Sequence, residues 1–218
     1  QEKIYANGKW PVSPVYTLEL SRDNTNGFVT FSAPRELPMP VEFQGKEVHL
    51  GIAARDSDAI LVWSDDTIAL INSKGTLLRR AMYASNRGNN PTANYSARIS
   101  DDGSVVAWSQ HGTFCIWRPQ QPVKSIELRN GDARPTTGAL TRDGQFPAVV
   151  TGLNGVDVIN TRLGQVVARI TPDADRFRVI TAVEWTPDGH SIAVTGYGDP
   201  TSSGTVCIYS LNANGQRS

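Results

Sequence analysis

Short apolar runs that alternate with polar residues extend along most of the chain. No stretch keeps a helical period over the roughly 10–12 residues that a helix needs. Runs of this length, bounded by Gly, Pro, Asn and Asp, are typical of β-strands joined by turns. The pattern therefore predicts an all-β chain.

A turn of the form Ser/Thr-x-Asp-Gly recurs along the sequence. It occupies residues 100–103, 141–144 and 186–189, with a degenerate copy at residues 55–58. Asp-Gly between two apolar runs is a strong hairpin signal, because glycine tolerates the positive φ that such turns require. The copies are about 40–45 residues apart, a spacing that is typical of a repeat architecture.

Apolar runs follow each turn in the same order, three in each of the first three copies and two in the last. They begin at Ile60, Thr67 and Thr76, at Val105, Thr113 and Val123, at Pro147, Gly155 and Gln165, and, for the last copy, at Ile192 and Thr205. Four antiparallel strands per repeat form one blade of a β-propeller, in which neighbouring blades stack to bury both faces. We predict one domain over residues 1–218, with four clear repeats over residues 47–215. Residues 1–46 form a degenerate first blade with strands near residues 15–21, 27–33 and 39–44.

The last repeat stops where its fourth strand would begin, at residues 211–218. One expectation is that N-terminal residues 3–6 or 9–12 supply the missing strand and close the ring. The other is that the native chain continues past Ser218 into further blades. Both alternatives stay open on the sequence.

Residues 99–117 and 185–211 resemble the WD-repeat propellers, with an Asp-Gly turn followed by Gly-Thr-apolar-x-apolar-aromatic. The Trp-Asp and Gly-His signatures of that family are absent, so its hydrogen-bond tetrad cannot form. The resemblance covers about residues 47–215 and implies a divergent propeller of about five blades, or a fragment of a larger one. It implies a fold and specifies no activity.

Composition and charge narrow the function classes. The chain has 21 basic and 21 acidic residues, a formal net charge of zero, and 39% hydrophobic residues. A balanced charge argues against nucleic-acid binding, which needs a basic footprint. No apolar run approaches the roughly 18 residues of a membrane span, so direct membrane insertion is not expected. The start at Gln1 mildly favours a cleaved signal peptide and export, although an artificial chain start explains it equally well.

Candidate catalytic chemistry is sparse. The two cysteines and three histidines lack metal-ligand spacing, and no Gly-x-Ser-x-Gly elbow occurs. Most carboxylates lie in turns, where they bond to the turn backbone. Asp157 lies within an apolar third strand, so we expect it to have a structural hydrogen-bond partner. We predict no enzyme activity, no metal and no cofactor.

Longer loops are the best functional candidates, because rigid scaffolds carry recognition on their loops. Inter-blade loops and second-to-third strand loops share one face of a propeller, so four such loops should cluster: residues 85–94, 130–134, 173–178 and 197–203. The candidate partner-binding residues are Arg87, Asn90, Asp132, Arg134, Asp175, Arg176, Tyr197 and Asp199. Merely solvated loops would explain the same composition equally well.

The predicted function is a non-enzymatic protein-interaction scaffold that belongs to a larger assembly. The alternative is a carbohydrate-binding propeller, which would need exposed aromatic rings such as Tyr197 and Trp10. A propeller hydrolase ranks third, since it requires carboxylates that converge in the central channel.

Overall fold

A computed structural model describes eleven segments of the chain: residues 16–17, 20–22, 29–31, 35–46, 48–64, 66–82, 97–110, 113–118, 120–128, 138–199 and 204–211. These segments contain β-strands and one short 3-10 turn. The all-β prediction is therefore confirmed for the described part of the chain.

The N-terminal strands are short and form two separate pairs. Strand β1 (Tyr16–Thr17) pairs with β4 (Arg35–Glu36), and β2 (Leu20–Arg22) pairs with β3 (Val29–Phe31). The predicted strand at residues 39–44 is wrong, because Val41–Phe43 forms a 3-10 turn instead. Proline has no N–H to donate to a ladder, and Pro40 stands directly before this turn.

Four larger antiparallel sheets follow, one for each predicted repeat. The first has β5 (His49–Ala53), β6 (Ile60–Trp63), β7 (Thr67–Ile71) and β8 (Leu77–Met82); the second has β9 (Ala97–Ile99), β10 (Val106–Gln110), β11 (Thr113–Trp117) and β12 (Lys124–Glu127); the third has β13 (Gly138–Leu140), β14 (Pro147–Thr151), β15 (Gly155–Asn160) and β16 (Gln165–Ile170); the fourth has β17 (Val179–Trp185), β18 (Ser191–Tyr197) and β19 (Thr205–Ser210). Strand order within each sheet follows the chain. The apolar runs predicted after each turn are confirmed as strands, each of which begins within one residue of the predicted start.

The chain divides into two compact units, residues 1–50 with 58–85 and residues 51–57 with 86–218. In the first unit, Leu37, Phe43, Val62, Ala69 and Ile71 form a buried core. The single domain over residues 1–218 remains a prediction.

Strand β14 is apolar at nearly every position, and its packing in the second unit shows why. Every residue of β14 is buried. Val149 packs with Val105 and Ile116 of the second repeat, while Val150 packs with Val183 of the fourth. Both faces of the third sheet are therefore covered, as stacked blades require.

The Ser/Thr-x-Asp-Gly turns share one hydrogen-bond pattern. In the third repeat the Thr141 hydroxyl donates to Asp143 Oδ1 at 2.7 Å and accepts from the Phe146 N–H at 2.9 Å. Gly144 has φ +70°, so its lack of a side chain is what permits the turn. The same pattern recurs at Ser100 and at Thr186, which confirms that the repeat rests on local turn chemistry.

Candidate functional site

The described part of the chain contains four of the eight candidate loop residues. Arg87, Asn90, Asp132 and Arg134 lie outside the described residues, as do the whole loops that carry them, residues 85–94 and 130–134. The structure places the remaining four on two neighbouring segments, residues 173–178 and residues 197–199; these four are Asp175, Arg176, Tyr197 and Asp199.

The first segment, residues 173–178, is a tight turn organised by one aspartate. Asp173 Oδ1 accepts a hydrogen bond from the Asp175 N–H at 3.0 Å. The carbonyl of Asp173 accepts from the N–H groups of Arg176, at 3.1 Å, and Phe177, at 2.8 Å. Phe177 is fully buried in the core. The buried Phe177 side chain therefore anchors the turn to the core, while Asp175 and Arg176 stay exposed.

The second segment lies directly against the first. The Arg178 N–H donates to the Tyr197 carbonyl at 2.8 Å. A Cβ on Gly198 would lie 2.3 Å from the Asp175 carbonyl oxygen, so only glycine permits this approach. The expected clustering is thus observed for these two loops, and for the other two it stays a prediction.

A third element joins them, the turn between β14 and β15. Gly152 adopts φ +65°, and the next residue, Leu153, accepts a hydrogen bond from the Ile180 N–H through its carbonyl at 2.8 Å. The Leu153 side chain is 67% exposed. We call residues 152–154, 173–178 and 197–199 together the loop face.

Sequence reasoning missed Leu153. The available signal was an apolar residue between Gly152 and Asn154, in a turn where polar residues are the rule. The loop face also carries exposed charges of both signs, on Asp173, Asp175, Arg176, Arg178 and Asp199.

Asp157 has the structural partner that was predicted for it. It is fully buried, and Arg169 binds both carboxylate oxygens, with Nε 2.7 Å from Oδ1 and a terminal nitrogen 2.9 Å from Oδ2. The hydrogen bond to this carboxylate raises the pKa of the Arg169 guanidinium above its ordinary value. Each carboxylate oxygen of Asp157 therefore accepts a hydrogen bond from Arg169, within the same sheet.

The two cysteines and four of the five tryptophans lie in strands of the described sheets. Cys115 and Cys207 are free, and burial raises the pKa of the Cys115 thiol, so the thiol stays protonated at neutral pH. Trp63, Trp108 and Trp117 are buried, and Trp185 is half-buried. Trp10 lies outside the described residues.

Among the described residues, no group of three or more His, Cys, Asp or Glu side chains is placed to hold a metal ion. The described segments also contain no helix that is long and apolar enough to cross a membrane.

Comparison with known proteins identifies the fold. No family model matches the chain, and no curated protein does. Among solved structures it is similar to the β-propeller domain of Cps50 (Swd1) from Myceliophteria thermophila, with a TM-score of 0.63 and 13% identity over 92% of this chain. The chain spans 63% of that domain's length. The described part therefore has a β-propeller fold.

Proposed function

We propose that this chain is a non-enzymatic scaffold that binds another protein through the loop face. The observation that carries the proposal is Leu153, a largely exposed leucine in a turn whose backbone is hydrogen-bonded to Ile180, next to the segment that carries the charged loop residues 173–178. An apolar centre within a polar rim is the usual anatomy of a protein–protein interface.

The backbone hydrogen bonds that join the segments of the loop face support this interpretation. Backbone hydrogen bonds tie Leu153 to Ile180 and Arg178 to Tyr197, and Phe177 anchors the segment between them. A surface that is already ordered loses little conformational entropy when a partner binds. Loops that served only as solvated connections would not need these cross-links.

The residue types also suit recognition. Arg176 is exposed and Tyr197 is half-buried, and both residue types are enriched among the side chains that dominate binding energy. The proposal extends the interface to Arg87, Asn90, Asp132 and Arg134 on the two remaining loops. It further assigns the chain to a larger assembly, in which the propeller holds partners in place.

The third repeat offers a matched test. Leu153 and Leu163 are 67% and 59% exposed, and they lie in the turns at the two opposite ends of β15. We would compare wild type, Leu153→Ser and Leu163→Ser as bait in quantitative affinity capture, and then measure each variant against the purified partner. We expect Leu153→Ser to weaken partner binding by about tenfold or more, and Leu163→Ser to leave it unchanged.

A second variant tests the polar part of the loop face. Arg176→Ala combined with Tyr197→Ala should reduce binding of the same partner, while its far-ultraviolet circular dichroism stays that of wild type. The proposal fails if every partner of the wild-type chain binds both this variant and Leu153→Ser with wild-type affinity.

A further inference from the structure

A cavity of about 370 Å³ opens at the other end of the strands from the loop face. It lies between the Asp-Gly turns of the third and fourth repeats. Phe146, Trp185 and Leu211 contribute its apolar lining, and Asp143, Asp188 and Arg142 contribute charged groups. None of these residues belongs to the proposed interface on the loop face.

The cavity coincides with an interruption in a chain of hydrogen bonds between successive turns. The Asp56 N–H donates to the Asp101 carbonyl at 2.7 Å, and the Asp101 N–H donates to the Arg142 carbonyl at 2.8 Å. The equivalent bond would run from the Arg142 N–H to the Pro187 carbonyl. Within the described residues no such bond is present, and both residues line the cavity. The third and fourth turns are thus separated where the earlier turns are joined.

Two aromatic rings form part of the cavity wall. The Phe146 and Trp185 ring centroids are 6.5 Å apart, with the ring planes tilted by 42°. Trp185 Nε1 is buried, and among the described residues it has no hydrogen-bond partner. Both side chains pack against the core of the second unit, so the wall is held in place.

With the His190 imidazole neutral, the carboxylates of Asp143 and Asp188 outnumber the single cation, Arg142, among the groups that line the cavity. Asp143 Oδ1 accepts hydrogen bonds from the Thr141 hydroxyl and the Gln145 N–H. Asp188 Oδ1 accepts from the Thr186 hydroxyl at 2.6 Å and the His190 N–H at 3.0 Å. Within the described residues, each carboxylate therefore uses one oxygen for its turn and keeps the other available.

The positive charge of Arg142 at the cavity is partly offset by an acidic neighbour outside the cavity lining. Arg142 Nε lies 3.8 Å from Asp101 Oδ2, so the guanidinium already has an acidic neighbour. Hydrogen bonds from Thr186 and from the His190 N–H hold the pKa of Asp188 below its ordinary value. The carboxylate of Asp188 is consequently ionised at neutral pH.

We infer that this cavity binds a lysine or arginine side chain presented by an extended segment of a protein partner. Such a side chain combines an apolar stem with a cationic head. The stem would contact the apolar wall, and the cation would lie near the aromatic faces and the two free carboxylate oxygens. The volume is at the low end of the range for ligand pockets, which suits one side chain better than an oligosaccharide.

The probes are N-acetyl-lysine methylamide and N-acetyl-arginine methylamide, titrated into the ¹⁵N-labelled full chain by NMR. The indole N–H signal of Trp185, assigned with Trp185→Phe, reports directly on the cavity. We expect saturable shifts of this signal with at least one basic probe. Asp143→Asn combined with Asp188→Asn keeps an acceptor oxygen for each turn but removes both charges. This variant should weaken binding by about tenfold.

Matched controls separate charge at the cavity from charge elsewhere. Asp102→Asn makes the same change in the turn of the second repeat, away from the cavity lining, and should leave the titration unchanged. Arg142→Gln removes the like charge and should tighten binding by about two- to threefold, whereas Arg162→Gln on an exposed turn should not. Leu153→Ser, which tests the loop face, should have no effect.

The inference is overturned if neither basic probe shifts the Trp185 signal, or if the doubly substituted variant binds as tightly as wild type. It is equally overturned if N-acetyl-glutamate methylamide or methyl glucoside shifts the signal and the basic probes do not. The loop-face test uses different variants, so a failed probe titration leaves the proposed function standing. A failed partner-binding test of the loop face likewise leaves the cavity inference standing.

Discussion

Asp157 and Arg169 face each other across β15 and β16 and are joined by two hydrogen bonds. The carboxylate is fully buried, whereas the Arg169 side chain is 44% exposed. The equivalent position holds Ala69 in the first repeat and Cys115 in the second, and both are buried. The repeat therefore tolerates an uncharged side chain at this position, and the ion pair is peculiar to the third sheet.

Arg169→Met should be strongly destabilising because it leaves the Asp157 carboxylate buried without its partner. We expect a loss of about 2–4 kcal/mol in the free energy of unfolding, below the full value for a buried pair because Arg169 is partly solvated. Urea denaturation monitored by tryptophan fluorescence measures this change.

The double variant Asp157→Ala, Arg169→Met is the control, since it removes the charge together with its partner. It should be more stable than Arg169→Met alone. A stability of Arg169→Met within about 0.5 kcal/mol of wild type would contradict a structural role for the pair.

Ser100→Ala should destabilise the second repeat. The Ser100 hydroxyl donates to Asp102 and accepts from the Val105 N–H at 2.9 Å, and Ser100 is fully buried. Alanine leaves that N–H without an acceptor, which costs about 1–3 kcal/mol. Thr186→Ala makes the same change where the turn is half-exposed, and water can replace the hydroxyl. Chemical denaturation should therefore rank Ser100→Ala as the more damaging variant, and the reverse order would refute this reading.

Acid should weaken the fold through Asp66. The Lys46 ammonium and the Thr67 hydroxyl donate to this carboxylate and hold its pKa below the ordinary value of 3.8. A carboxyl whose pKa is lower in the folded state stabilises the fold above its unfolded-state pKa. That contribution is lost as the pH falls through the lower, folded-state value.

We therefore expect the Tm to fall as the pH drops below about 4. Asp66→Asn removes one titrating group, so its Tm should fall less between neutral pH and pH 3 than that of wild type. Thermal unfolding followed by circular dichroism at both pH values measures the difference. An equal or larger fall in Asp66→Asn would show that Asp66 contributes nothing to acid sensitivity.

Gly198→Ala should disturb the loop face specifically. The added Cβ would lie 2.3 Å from the Asp175 carbonyl oxygen, and this backbone group cannot move away without distorting its turn. We expect faster hydrogen exchange at residues 175–178 and weaker partner binding. Gly204→Ala is the matched control, because its Cβ would find no neighbour closer than 3.8 Å. Equal exchange rates in the two variants would mean that the two loops do not depend on this contact.

Local turn chemistry explains why the repeats were predictable. The Thr141 and Asp143 side chains fix their turn through bonds within five residues, so the sequence pattern is enough to locate the flanking strands. The bounds of β14 and β15 follow directly from it. Residues 39–44 were mispredicted because alternation alone suggested a strand, while the prolines favoured a turn.

The sites were less predictable for the opposite reason. Leu153 joins Ile180 of the following repeat, and the cavity depends on the separation between Arg142 and Pro187. Both features are set by how one repeat packs on the next, and no local pattern encodes that packing.

Site-specific photo-crosslinking tests the central claim most directly. A photoreactive phenylalanine analogue at position 153 or position 163 replaces one of two comparably exposed leucines at opposite ends of β15. The account predicts that position 153 crosslinks to a partner protein and that position 163 does not. Crosslinking at position 163 alone, or at neither position while the partner remains bound, would contradict a protein-binding loop face.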